Sequence, residues 1–69
     1  MRMTPVSSKA LSGVGYDAAS KTLRLKFKSG RIHDYTDVGP EEADGLMNAE
    51  SLGAHFNTHF QGRDHVRIK

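Results

Sequence analysis

The sequence predicts an α+β fold: a three- to four-stranded antiparallel meander packed by two short helices. Three observations carry that prediction. Leu23, Leu25 and Phe27 alternate with Arg24, Lys26 and Lys28, which puts the apolar three on one face of a strand and the cations on the other. Ser29-Gly30 interrupts the run and Ile32 to Tyr35 restarts it, the pattern of a β-hairpin. Further on, Leu52, Phe56 and Phe60 recur at every fourth position, the ridge of a helix laid on a core.

Residues 1–8 carry Pro5, Thr4, Ser7 and Ser8 with no apolar period. They read as a flexible N-terminal arm, with a single domain over 9–69. Leu11 to Tyr16 is the first strand, with Val14 and Tyr16 on one face. Gly13 and Gly15 weaken it and mark a bulge or a close backbone approach. Asp17 opens the next turn, where its carboxylate suits a backbone amide two residues on.

The hairpin has two candidate registers. A two-residue loop at Ser29-Gly30 pairs Phe27 with Ile32 but sets Asp34 opposite Leu25 on the buried face. A three-residue loop, Lys28-Ser29-Gly30, ends on a left-handed Gly. It pairs Leu23 with Tyr35, Leu25 with His33 and Arg24 with Asp34. The second register is preferred, because it sets opposite charges across the strands and keeps a carboxylate out of the core. It leaves Ile32 on the outer face beside Lys26.

Val38-Gly39-Pro40-Glu41-Glu42 starts a helix. Proline suits the first helical position, and acids suit the amide dipoles of the first turn. Ala43, Leu46 and Met47 share its face. Ser51 caps a second helix, Leu52 to Phe60, and Gly62 stops it. Val66 and Ile68 alternate with His65, Arg67 and Lys69, which makes the tail a short edge strand or an extended end. The expected core is Leu23, Leu25, Phe27, Tyr35, Leu46, Leu52, Phe56 and Phe60.

At 69 residues without cysteine, the chain has room for one small core and no disulfide or thiolate zinc site. No signal peptide and no membrane-length apolar run is visible, so a cytoplasmic protein with no membrane partner is expected. The net charge is only +2, but it is segregated. Lys21, Arg24, Lys26, Lys28 and Arg31 form a basic hairpin, Asp34 to Glu50 holds six acids without a Lys or Arg, and Arg63, Arg67 and Lys69 make a basic tail.

The basic hairpin face suits a phosphate backbone, with Tyr16, His33 or Tyr35 available to stack on an unpaired base. It equally suits a solvated sheet face guarded against edge pairing by lysines, or a protein or anionic ligand. His55 and His59 are one helical turn apart, which is metal-ligand spacing. They lack the adjacent glutamate of zinc hydrolases, and a third ligand would have to come from His33, His65 or an acid. Glu41, Glu42 and Asp44 are explained by the helix start. No nucleophile elbow or phosphate-binding loop is present, so no catalytic residue and no cofactor is assigned.

The order of features is similar to one family. Val6-Ser7-Ser8, Gly15-Tyr16-Asp17, Lys21-Thr22-Leu23, Phe27-Lys28-Ser29-Gly30, Tyr35, Val38-x-Pro40 and Gly53-x-x-Phe56-Asn57-x-x-Phe60 together resemble the KTSC domain. That domain occurs at the C-terminus of some lysyl-tRNA synthetases and as single-domain bacterial proteins. Its pattern has a central Tyr-x-Tyr, where this chain has His33-Asp34-Tyr35. The synthetase context implies RNA, tRNA in particular, as partner. Arg24, Lys26, Lys28, Arg31, Arg63, Arg67 and Lys69 are then expected on phosphates, and His33 and Tyr35 on bases. The other expectation is a module that binds another protein or itself through the exposed hairpin edge.

Overall fold

The structure, a computed structural model, describes residues 2–69. In chain order it holds strands β1 (Met3–Pro5), β2 (Leu11–Asp17), β3 (Thr22–Phe27) and β4 (Ile32–Tyr35), helices α1 (Pro40–Met47) and α2 (Leu52–His59), and strand β5 (His65–Arg67). The strands form one antiparallel sheet in sequence order, β1-β2-β3-β4-β5. The fold is α+β as expected, with five strands where the sequence predicted three to four.

The additional strand corrects the reading of residues 1–8 as an arm, of which Met1 lies outside the described residues. Met3, Thr4 and Pro5 pair with Gly15, Val14 and Gly13 of β2. Pro5 cannot donate to a ladder, and an edge strand is where that is tolerated. The tail takes the strand alternative. His65, Val66 and Arg67 pair with Tyr35, Asp34 and His33. With β2 along β3 and β5 along β4, both sides of the central hairpin are covered. The exposed hairpin edge expected for a partner is therefore absent.

The hairpin adopts the three-residue loop. Leu23 faces Tyr35, Arg24 faces Asp34, Leu25 faces His33 and Lys26 faces Ile32. Phe27 N–H donates to the Arg31 carbonyl at 2.8 Å and closes the loop. Gly30 sits at φ 97°, a left-handed value that only glycine adopts without strain. In β2 the register slips between Leu11 and Gly13. This bulge lets Leu11 and Val14 face the same side although they are three residues apart.

The face carrying Leu11, Val14, Leu23, Leu25 and Tyr35 packs with Val38, Ala43, Leu46 and Phe60 as the core. Phe27, Leu52 and Phe56, expected inside, are only half-buried against it. Val38 was not among the expected core residues, because it was read only as the lead-in to the helix at Pro40. It is fully buried; its N–H donates to the Lys21 carbonyl at 2.9 Å, and its carbonyl accepts from the Tyr16 hydroxyl. α1 begins at Pro40, and Glu42 reaches back to accept from Gly39 N–H at 3.2 Å. Ser51 caps α2 by accepting from Ala54 N–H at 3.3 Å. Among the described residues no helix is long and apolar enough to cross a membrane.

Candidate nucleic-acid interface

The pleat sorts the predicted phosphate contacts onto different faces. Arg24 and Lys26 lie on the outer face of β3, away from the core residues Leu23 and Leu25. Arg24 is committed there: its guanidinium makes two parallel hydrogen bonds to the Asp34 carboxylate. That pairing raises its pKa above the ordinary arginine value. Lys26 is exposed beside Ile32. The outer strand face is thus an ion pair, a lysine and an apolar residue, rather than the row of cations that alternation alone suggested.

Arg63 is also committed. It pairs with Glu42, donates to the Asp37 carbonyl at 3.0 Å and lies 5.2 Å from the centroid of the Phe60 ring. It ties the start of α1 to the chain after α2. The Glu42 carboxyl is held below the usual carboxylate range, chiefly by this arginine and then by the Gly39 amide.

The remaining cations gather elsewhere. Lys28 is in the hairpin loop and Arg31 follows it. Arg67 stands opposite His33 on β5, with Lys69 just beyond. All four are exposed, and among the described residues none of them forms an ion pair.

Arg31 opens onto a cleft of about 290 Å³ between the hairpin tip, α2 and the turn into β5. Phe27, His33, Tyr35, Phe56 and His65 line it, with Ser29 and Gln61 adding polar groups and no carboxylate present. The aromatic rings pack on one another. His33 stacks on His65, with centroids 4.7 Å apart and planes at 21°. Phe27 meets His33 and Phe56 edge to face at 5.0 and 5.5 Å. Tyr35, 2 % exposed, is the floor of the cleft and offers no free face for stacking. His65 is exposed on its outer side. Aromatic walls with an arginine at the mouth suit a flat group carrying negative charge.

The two histidines differ electrostatically. Burial pushes the His33 pKa below the ordinary imidazole value, and His65, Arg31 and Arg67 push it the same way. His33 is therefore neutral at pH 7, and its Nδ1 is buried without a hydrogen-bond partner. His65 Nδ1 lies 2.9 Å from the Arg63 carbonyl. A carbonyl only accepts, so Nδ1 carries the proton and Nε2 of the neutral ring is left as an acceptor.

His55 and His59 share a face of α2 with ring centroids 4.3 Å apart. They line a separate cleft of about 210 Å³ with Glu41 and Glu42. His33 and His65 belong to the aromatic cleft instead. Among the described residues no three His, Cys, Asp or Glu side chains converge as a metal site requires. A larger hollow, about 510 Å³, lies between residues 7–10 and the start of α2. It combines Lys9 with Glu50 and has no aromatic wall, so the chemistry favours the smaller cleft. Phe27 and Phe56 were not among the residues the sequence nominated for binding, and His65 was weighed only as a metal ligand. Only the return of β5 beside β4 brings them together, and no local motif records that return.

Comparison with known proteins places this architecture. The sequence model of the KTSC domain matches residues 7–63. The crystal structure of a KTSC domain protein from Yersinia pestis superposes with a TM-score of 0.92 at 27 % identity, covering 99 % of this chain and 97 % of that one. An uncharacterised protein of Stutzerimonas stutzeri is 38 % identical over 61 residues, 88 % of this chain and 86 % of the relative. A protein of Tsukamurella paurometabola is 44 % identical over 55 residues, 80 % of this chain and 82 % of its own. A lysine–tRNA ligase of Nostoc punctiforme is 38 % identical over 48 residues, 70 % of this chain but only 9 % of the ligase.

Proposed function

The chain belongs to the KTSC domain family, and on that premise we propose that it is a small non-catalytic cytoplasmic module that binds RNA at unpaired nucleotides. The base enters the cleft beside His65, Phe27 and Phe56, above the floor made by Tyr35. Lys28 and Arg31 at the hairpin tip, with Arg67 and Lys69 on the other bank, take the flanking phosphates. The observation that carries this reading is an aromatic, carboxylate-free cleft lined by Arg31, with Arg67 paired opposite the lining residue His33 and neither arginine in an ion pair among the described residues. A lysine–tRNA ligase segment among the relatives supports an RNA context.

Aromatic stacking is tolerant of base identity, whereas phosphate contacts release counterions and make binding salt-dependent. The expected ligand is therefore a single-stranded loop or end of a structured RNA. Fluorescence anisotropy with a labelled uridine oligomer tests this directly. The double variant Lys28→Glu, Arg31→Glu should lose most of the affinity and flatten the salt dependence. Unchanged affinity in that variant would end the assignment of the hairpin tip to RNA.

A further inference from the structure

We propose that the free side of β5 accepts an extended segment of a partner protein as an added strand, one in which acidic residues alternate with apolar ones. The two outer strands of the sheet are β1 and β5. β1 carries Pro5, which blunts its edge by removing a donor. β5 has no proline, and all three of its residues are exposed. Ile68 N–H donates inward to the Ile32 carbonyl at 2.7 Å. Antiparallel ladders alternate bonded and open positions, so the Arg67 N–H and C=O point away from β4 and are available to another strand.

The side chains say what kind of strand fits. His65 and Arg67 lie on the side of Tyr35 and His33. Val66, 56 % exposed, and Ile68, 51 % exposed, lie on the opposite side, and they are two of the three large apolar residues that the described chain leaves exposed. An added strand would meet cations on one face and aliphatic groups on the other, so it is complemented by carboxylates alternating with apolar residues. A second copy of this chain fits poorly. Pairing β5 with β5 and keeping both helical faces on one side would set Arg67 against the Arg67 of the other copy, a like-charge pair. The inference shares Arg67 with the RNA reading but does not rest on it, since backbone groups of the edge and not the aromatic cleft hold the ligand.

Amide-resolved NMR on the full chain tests it with two probes, a peptide alternating glutamate with valine and one alternating lysine with valine. The expected result is saturable shifts at 65–68 and slowed hydrogen exchange at the Arg67 amide with the glutamate peptide only. Arg67→Glu should reverse the preference between the peptides. Arg67→Pro, which removes only an outward donor from the ladder, should abolish binding while the β2–β4 resonances stay in place. Equal response to both peptides, shifts confined to Phe56 and Gln61 in the cleft, dilution-dependent shifts without peptide, or no response at all would each overturn the proposal.

Discussion

Arg24 and Asp34 face each other across β3 and β4, joined by Nε to Oδ1 at 2.7 Å and Nη2 to Oδ2 at 2.8 Å. This pair engages the central cation of the outer sheet face with a carboxylate, so Arg24 is not an unpaired charge for a polyanion. It follows that Arg24 and Arg31, equivalent in composition, have separable roles. Arg24→Gln should cost about 1 kcal/mol of stability, the scale of a cross-strand charge pair, and leave RNA affinity nearly unchanged. Arg31→Gln should leave stability within about 0.5 kcal/mol while lowering the salt slope of RNA binding by about 0.7, the loss of one single-strand phosphate contact. Urea unfolding and anisotropy across a salt series measure the two quantities.

His33 gives the fold a pH dependence with a defined sign. Its folded pKa lies below the ordinary value of 6.5, because of burial first and then the neighbouring His65, Arg31 and Arg67. Between the folded and unfolded values the unfolded chain binds more protons, so stability rises with pH. His33 therefore contributes fully above about pH 6.5, and its contribution is lost progressively as pH falls from there through the folded pKa. Melting temperatures at pH 7.5 and pH 5.5 should differ in that direction, and His33→Tyr should reduce the difference. An unaltered pH profile in the variant would assign the titration to another group.

Gly30 closes the central hairpin at φ 97° with open space around it. Gly30→Ala should cost about 1 kcal/mol from backbone strain alone, since no neighbour obstructs the methyl group. The measured denaturation midpoint should fall while the hairpin register, read from cross-strand nuclear Overhauser contacts, stays the same.

Phe60 joins α2 to the sheet. It is 1 % exposed and meets Tyr35 edge to face at 6.0 Å. Phe60→Ala should cost about 3–5 kcal/mol, as much as the whole net stability of a core this small. The variant should be largely unfolded at 25 °C by circular dichroism. Phe56→Ala, at a half-buried position on the cleft wall, should remain folded and lose RNA affinity instead.

The central hairpin was legible because two independent constraints agreed. Strict alternation fixed which residues face inward, and the need to keep Asp34 out of the core selected one of two loop lengths. The helix starts were legible through Pro40 and Ser51, whose chemistry is local. β1 was not legible. Met3-Thr4-Pro5 has no period and is held by pairing with β2, which is a tertiary effect. Val38 was hidden for the same reason: its burial depends on Lys21 and Tyr16 arriving from elsewhere. The site was half legible. Arg31, Arg67, Lys69 and His33 were nominated by charge and type. The cleft, which Arg31 and His33 line, needs β5 to return beside β4 to bring His65 and Arg67 next to it, and the commitment of Arg24 and Arg63 to carboxylates could be read only for Arg24.

One experiment addresses most directly which face meets RNA. It is a titration of the isotopically labelled chain with tRNA, at low and at physiological salt, followed residue by residue. The expected result is shifts at Lys28 to His33, Phe56 and His65 to Lys69 that fade as salt rises, with Arg24 and Lys26 unmoved. Shifts centred on Arg24 and Lys26, or none at low salt, would contradict the assignment of the aromatic cleft as the binding surface.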